Sequence, residues 1–507
     1  MSGKLFNSFS GSSPRKNKFD LSHENKLSFN MGDLVPILVQ EVIPGDSFRL
    51  NAEMILRVAP MLYPLMHKVH VFTNFFFVPE RLIWDESQKF HTGGVDGNQE
   101  PIRPFTAFPS GIDNLHKVGT LSDYMGLPTH DDVANTVTNT TDITTLPFRA
   151  YQLIWNEYFR DQNVMAEVSI SKASGNEAGT LHELMRMRKR SWEKDYFTSC
   201  LPWAQRGNPV LIPNSHLDQS KVFDASGNPA VAGTITSAAD GGLLVTSPSG
   251  PNWPGNIDTM TATSVNDLRT SVRLQEFLEK LARGGSRYIE YLRNIWGKVS
   301  SDARLQRPEH LGGGVMPLVV SEVLSTYTNV TDSIPQGTFS GHGISVGSPG
   351  GFARNFEEHG FVIGLLSVLP TTGYQQGIER MWTRKDRFEY AIPDFAHIGE
   401  QEVMTNELYF DSKEVAPTNP VFGYQSRYAE YKYKQSTTHG DFRTSLSAFH
   451  ANRIFGAKPV LNESFISADP TTRIFAVTAP DVLHMYADIN LNFSALRPLP
   501  YFGIPGL

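Results

Sequence analysis

A mainly β fold, with helices and long loops inserted into its middle, is what this chain of 507 residues predicts. Three observations carry that prediction. Strand-like segments stand toward both ends of the chain, whereas segments of helical period are confined to residues 148–296. Charged residues make up 19 %, below the ~25 % usual in globular proteins, while 41 Gly and 32 Pro move the balance toward turns and covered faces. A hydrophobic content of 40 %, with 11 % aromatic, is enough for a buried core and excludes wholesale disorder.

Residues 1–30 differ in character from the rest of the chain. Lys4, Arg15, Lys16, Lys18 and Lys26 stand against Asp20 and Glu24, a net +3 in a chain whose total is -7, so the remainder carries -10. Phe6, Phe9, Phe19 and Phe29 punctuate the stretch with neither helical nor strand period. Two readings stand, a frayed terminus and a basic, aromatic arm that docks on a partner. Four Phe are costly in a tail that touches nothing, so 1–30 is taken as an arm and 31–507 as a single domain.

Residues 33–43 are β-like. Residues 67–78, HKVHVFTNFFFV, form the clearest strand, with Val69, Val71, Phe75 and Phe77 on one face and His70, Phe72 and Phe76 on the other. Both faces are partly apolar, which places the strand between two layers. Residues 148–160 carry Tyr151, Ile154, Trp155, Tyr158 and Phe159 at helical spacing. Further helices are expected over 181–194, over 266–283 with Asn266 as N-cap and Gly284-Gly285 as the stop, and over 287–296 ending at Gly297.

Between residues 207 and 263 the composition turns to Ala, Gly, Ser, Thr and Pro with almost no Lys or Arg, which reads as a surface protrusion. Residues 331–351 read as a second Gly/Ser-rich loop. Residues 360–369, almost wholly apolar and short, fit a buried sandwich strand. Strand-like alternation runs over 422–434, more strand-like residues fill 474–487, and the tail LRPLPYFGIPGL is Pro-rich and aromatic. A sandwich of about eight strands at about six residues each uses only about 50 residues. Most of the chain is therefore connection, available for contacts with other copies.

Motifs that carry chemistry are few in this sequence. A GxSxG match at Gly343–Gly347 lacks the strand before and the helix after that a hydrolase nucleophile requires, and counts as a chance match. Fifteen His include no HExxH, and no GxxxxGK[ST] occurs, so neither a zincin centre nor a P-loop is present. The lone Cys200 excludes an intramolecular disulfide framework and a Cys-rich zinc site. No catalytic residue, cofactor or metal is expected, and the chain is not read as an enzyme. The start has no signal-peptide core, and no run of ~18 apolar residues occurs, so a cytoplasmic, non-spanning protein is expected. The basic run Arg186, Arg188, Lys189, Arg190 reads either as a solvated helix face or as a phosphate contact. For the arm, Arg15, Lys16 and Lys18 beside Phe6, Phe9 and Phe19 suit single-stranded nucleic acid, by charge and by base stacking.

At FGYQSRYAEYKYKQSTTHGDFR (422–443) the sequence resembles the major capsid proteins of the microviruses, small phages with circular single-stranded DNA, and within them the gokushovirus branch. Further matching blocks are LPFRAYQLIWNEYFRDQN (146–163), DYFTSCLPWAQRG (195–207), SDARLQRPEHLGGG (301–314), YQQGIERMW (374–382) and AHIGEQEV (396–403), in the expected order over nearly the whole chain. The resemblance implies an eight-stranded antiparallel jelly roll with large loop and helical insertions. It implies self-assembly into a T=1 icosahedral shell around packaged single-stranded DNA, with the insertion at 207–263 protruding toward a host cell-surface receptor. It also implies a small basic DNA-binding protein, a pilot protein and a scaffolding protein as partners, and the virion as location. The competing class is a secreted carbohydrate-binding or carbohydrate-active jelly-roll protein. Against it stand the missing signal peptide, the missing disulfides and the lack of an identifiable acid/base pair.

Overall fold

The computed structural model describes residues 14–502 apart from 109–114, 130–139, 178, 209, 211–233, 238–242, 247–252, 255–264, 286, 325–338, 414–418 and 480–481. Nine strands form the framework: β1 (Asn17–Asp20), β2 (His23–Phe29), β3 (Val35–Val42), β4 (Ser47–Val58), β5 (Val69–Pro79), β6 (Glu309–Leu324), β7 (Phe339–Asn355), β8 (Gly360–Pro370) and β9 (Met485–Arg497). They pair antiparallel in the order β1-β9-β4-β7-β6-β5-β8-β3, and β2 joins β9 further along the same edge. Because β1 and β2 share one partner, the sheet is eight positions wide.

The sheet curls because β6 changes partner along its length. Its first half, Glu309 to Leu318, pairs with β5, and its second half, Val319 to Leu324, pairs with β7. Two facing sheets result, and their inner sides enclose one core, the arrangement of a jelly-roll sandwich. In β4 the alternation is complete: Phe48, Leu50, Ala52, Met54, Leu56 and Val58 point inward, while Arg49, Asn51, Glu53, Ile55 and Arg57 point out. β9 repeats the pattern with Ala487, Ile489, Leu491, Phe493 and Ala495. From the opposite sheet come Val69, Val71, Phe75 and Phe77 of β5 and Val362, Leu366 and Val368 of β8. Each large side chain buried there contributes about 1.5–3 kcal/mol.

The other side of the β5–β8 sheet is covered as well. Phe76, Val78, Ile363 and Leu365 join a second core with Phe148, Tyr151, Ile154 and Trp155. These last belong to α1 (Leu146–Ile154), which has Pro147 in its first turn and runs into a π-helical turn over Trp155–Phe159. β5 thus lies between two layers, as its two partly apolar faces predict. The helix expected over 287–296 is α3 (Tyr288–Trp296), stopped by Gly297 at φ 64°. The one before it, α2 (Val265–Gly284), starts a residue ahead of Asn266, which is therefore inside the helix instead of capping it.

Several expectations are corrected. Only Leu181–Leu184 is helical in the segment 181–194. The rest is extended, with Leu34 and Trp192 N–H groups bonded to the Arg188 and Ile466 carbonyls, because these non-local backbone partners outcompete a local helix. The second loop expected over 331–351 is strand from residue 339 onward, part of β7, and residues 331–338 lie outside the described set. Over 422–434 the strand is Val421–Ser426, and the chain then turns through Tyr428 at φ 60° into Ala429–Lys432. The strand anticipated within 474–487 begins only at Met485. Residues 17–29, read as lacking a strand period, are strands held by backbone pairing to β9.

The chain divides into two units, Trp203–Gly284 and the remainder. The first holds α2 and three short strands, Thr234–Ser237, Leu243–Thr246 and Trp253–Pro254, paired antiparallel; most of the insertion read at 207–263 lies outside the described residues.

Candidate nucleic-acid interface

Arg15, Lys16 and Lys18 lie at the sheet edge where the two ends of the chain meet. β1 pairs Asn17 with Arg497 and Lys18 with Leu496, and the Asn17 side-chain amide donates to the Leu499 carbonyl at 2.7 Å. This pairing fixes the arm from residue 17 onward and turns the three cations outward, where all are exposed. Beneath them sits Asp46, fully buried. It accepts from the Ile43 N–H at 3.1 Å and pairs with Arg497 at 3.2 Å. Burial holds its carboxyl above the ordinary value, opposed by the Ile43 N–H and then by the charges of Arg497 and Lys16. The Asp20 carboxyl lies below its ordinary value, chiefly through the hydroxyl and N–H of Ser22, with a smaller effect of the Lys18 charge.

Lys18 also borders an open groove of about 870 Å³ with Arg49, Arg354, Glu309, Glu357 and Glu358. Arg354 is neutralised by Glu309 at 2.8 Å, and Glu358 by Arg81 at 2.6 Å. Among the described residues, Arg15, Lys16, Lys18 and Arg49 have no ion-pair partner. The edge also gains aromatic surface from the other end of the chain. Tyr501 packs 5.4 Å from Phe19, and Phe502 is 85 % exposed. Phe6 and Phe9 lie outside the described residues. Arg49, Tyr501 and Phe502 were not singled out from sequence, although Arg49 is an outward position of the β4 alternation and the two aromatics stand in the Pro-rich tail.

The remaining motifs resolve as structure. Ser345 of the GxSxG match is in β7, buried, with its hydroxyl donating to the Pro317 carbonyl at 2.8 Å, so it is no exposed nucleophile. The basic run is not a helix face: Arg186 is exposed and Lys189 partly so, whereas the other two cations are turned inward. Arg188 is buried, donates to Gln152 at 2.8 Å and stacks 5.3 Å over Trp155, while Arg190 lies 3.9 Å over Phe72. Lys189 pairs with Asp469, and Arg186 with Glu183. Cys200 is a buried thiol that donates to the Tyr196 carbonyl at 3.3 Å. Among the described residues no group of three His, Cys, Asp or Glu is placed to hold a metal, and no helix is long and apolar enough to cross a membrane.

An edge that presents charge and aromatic rings suits binding and packing. Comparison with known proteins decides the class. The family described as Capsid protein (F protein) matches residues 8–507. The chain belongs to this family of phage capsid proteins.

Its relatives include the Capsid protein VP1 of Bdellovibrio phage phiMH2K, 34 % identical over 97 % of this chain and 95 % of the relative. Capsid protein VP1 of Chlamydia phage 1 is 35 % identical over 97 % and 96 %, and that of Spiroplasma virus 4 is 29 % identical over 99 % and 97 %. These are microvirus proteins. A capsid protein is a structural component of the virion that assembles with copies of itself, and the family is not enzymatic. The jelly roll with insertions is the framework of such a subunit, and the long connections are what it has available for contact.

Proposed function

We propose that the chain builds a T=1 icosahedral shell around a circular single-stranded DNA genome, with the edge at Arg15, Lys16 and Lys18 facing the nucleic acid. The observation that carries this reading is the group of exposed cations without ion-pair partners beside Tyr501 and Phe502, since single strands are held by phosphate neutralisation and by stacking of bases on aromatic rings. The residues outside 1–30 carry a net -10, so attraction for DNA has to be local. A small basic DNA-binding protein would supply further neutralisation. The pilot and scaffolding proteins and a host receptor complete the partners of this reading, with 207–263 as the receptor-facing insertion.

The test is neutralisation of the three cations together, Arg15→Gln, Lys16→Gln and Lys18→Gln. All three are exposed, so folding is expected to be unaffected. On single-stranded DNA each phosphate contact contributes about 0.7 to the slope of log affinity against log salt. The triple variant is expected to lower that slope by about 2 and to reduce the DNA content of assembled particles. An unchanged slope with unchanged DNA content would refute the assignment.

A further inference from the structure

Around Trp382 the molecule exposes a second aromatic surface, of different character. Trp382 is 75 % exposed, and Met381, Phe388, Tyr390, Tyr431 and Tyr433 are each 42–52 % exposed. Met381, Tyr390, Tyr431 and Tyr433 gather around Arg384, and Trp382 and Phe388 lie on the same short stretch of chain. The Arg384 guanidinium lies 4.4 Å over Tyr431 and 5.4 Å over Tyr390, and Met381, Tyr431 and Tyr433 border a common cavity of about 250 Å³. Phe388 continues it under the Arg387 guanidinium at 4.6 Å.

Three cations of this surface are paired within it. Arg384 pairs with Glu430 at 3.0 Å, Arg380 with Glu407 at 3.4 Å and Lys434 with Glu379 at 2.6 Å. On the flank, Lys385 and Arg387 are offset by Asp386 and Glu389. Arg387 and Lys432 have no ion-pair partner among the described residues, but Arg387 lies over Phe388 and Lys432 donates to the Arg427 carbonyl at 2.9 Å, so both are engaged within the surface. What remains is apolar and rigid: side chains of 150–250 Å² each, at these exposures, leave on the order of 500 Å² uncovered. That is at the upper end of what a monomer displays. It is also more than half of the roughly 800 Å² that each partner contributes to a stable interface, and Trp, Tyr, Phe, Met and Arg are the residues enriched in such interfaces.

We infer that the Trp382 patch is a contact surface for a second copy of this chain. The inference rests on membership of the capsid family, because a chain that packs against its own copies needs a face for them, and aromatic, Met and Arg side chains are enriched in such faces. The internal ion pairs, together with the Tyr196 hydroxyl donating to Glu407 at 3.0 Å, hold the patch in place before the copy arrives.

The experiment uses the full-length chain and follows particle formation by light scattering. Trp382→Ala is expected to raise the protein concentration needed for assembly by at least about tenfold, with the circular dichroism of the unassembled chain unchanged. Assembly at the wild-type concentration overturns the inference. Trp382→Cys provides a second reading, because Cys200 is the chain's one cysteine and is buried. Its maleimide labelling should be at least about tenfold slower in particles than in dissociated chains. Equal rates overturn the inference, as does protection that disappears when particles are emptied of nucleic acid. A wild-type chain that never leaves the monomer refutes the shell reading itself, and the contact surface with it.

Discussion

Asp33 shows how a single residue can set a pH dependence. It sits in a backbone bridge to Lys189, and burial pushes its carboxyl up to about 6, against the opposing charge of Lys189 and the Asn30 N–H. A carboxyl raised in the folded state favours folding most below its ordinary value near 4, and loses that contribution as pH rises through about 6. At neutral pH the ionised group is therefore a cost. Asp33→Asn is expected to stabilise the unassembled chain by about 1–2 kcal/mol at pH 7.5, allowing for partial exposure, and by nothing at pH 4. Urea denaturation at the two pH values checks this. At this scale the sequence was only partly legible. Arg15, Lys16 and Lys18 were legible as exposed cations, because charge in a polar stretch stays at the surface, while their contact with DNA belongs to the proposal. Arg149 could not: it is completely buried, donating to Glu177 at 2.7 Å and to the Ile83 and Ala173 carbonyls at 2.8 Å, partners up to 66 residues away.

At the scale of elements, legibility follows how far side chains alone determine the pairing. β8 is readable from its apolar run, and β5 from having two apolar faces. β4 carries the most regular alternation in the chain, yet its outward Ile55 and inward Ala52 blur it against a helical pattern. β7 is unreadable for a physical reason. Its glycines, which suggest a loop by composition, are there because neighbouring backbones come too close for a side chain. A Cβ on Gly351 would stand 2.0 Å from the Leu50 carbonyl oxygen of β4, and Gly350 at φ +96° forms the irregularity after Gly347. Gly351→Ala is therefore expected to separate β7 from β4 and destabilise the chain by at least about 3 kcal/mol, measured as loss of soluble folded protein or a lowered denaturation midpoint. Gly97→Ala offers a contrast: nothing lies within 4 Å of its Cβ, although its φ of +72° leaves a smaller conformational cost.

For the whole molecule, the framework was foreseeable in class and the contacts were not, since contact surfaces obey no period. The structure also changes which experiment is clean. Deleting residues 1–30 would remove β1 and β2 and uncover β9, so a failure to assemble would report on folding; side-chain neutralisation avoids this. The insertion can be tested at this scale as well. Replacing residues 207–263 by a short linker is expected to leave particles intact and to abolish adsorption to the host, scored by electron microscopy and by binding to cells. Failure to form particles would make the segment a packing element. The late strand β9 has one more effect. It lies between β1–β2 and β4 and supplies Ile489, Leu491 and Phe493 to the core, so the sandwich cannot close until residue 497 has been translated. A chain still on the ribosome has no finished surface to offer a neighbour, and particle growth draws only on completed copies.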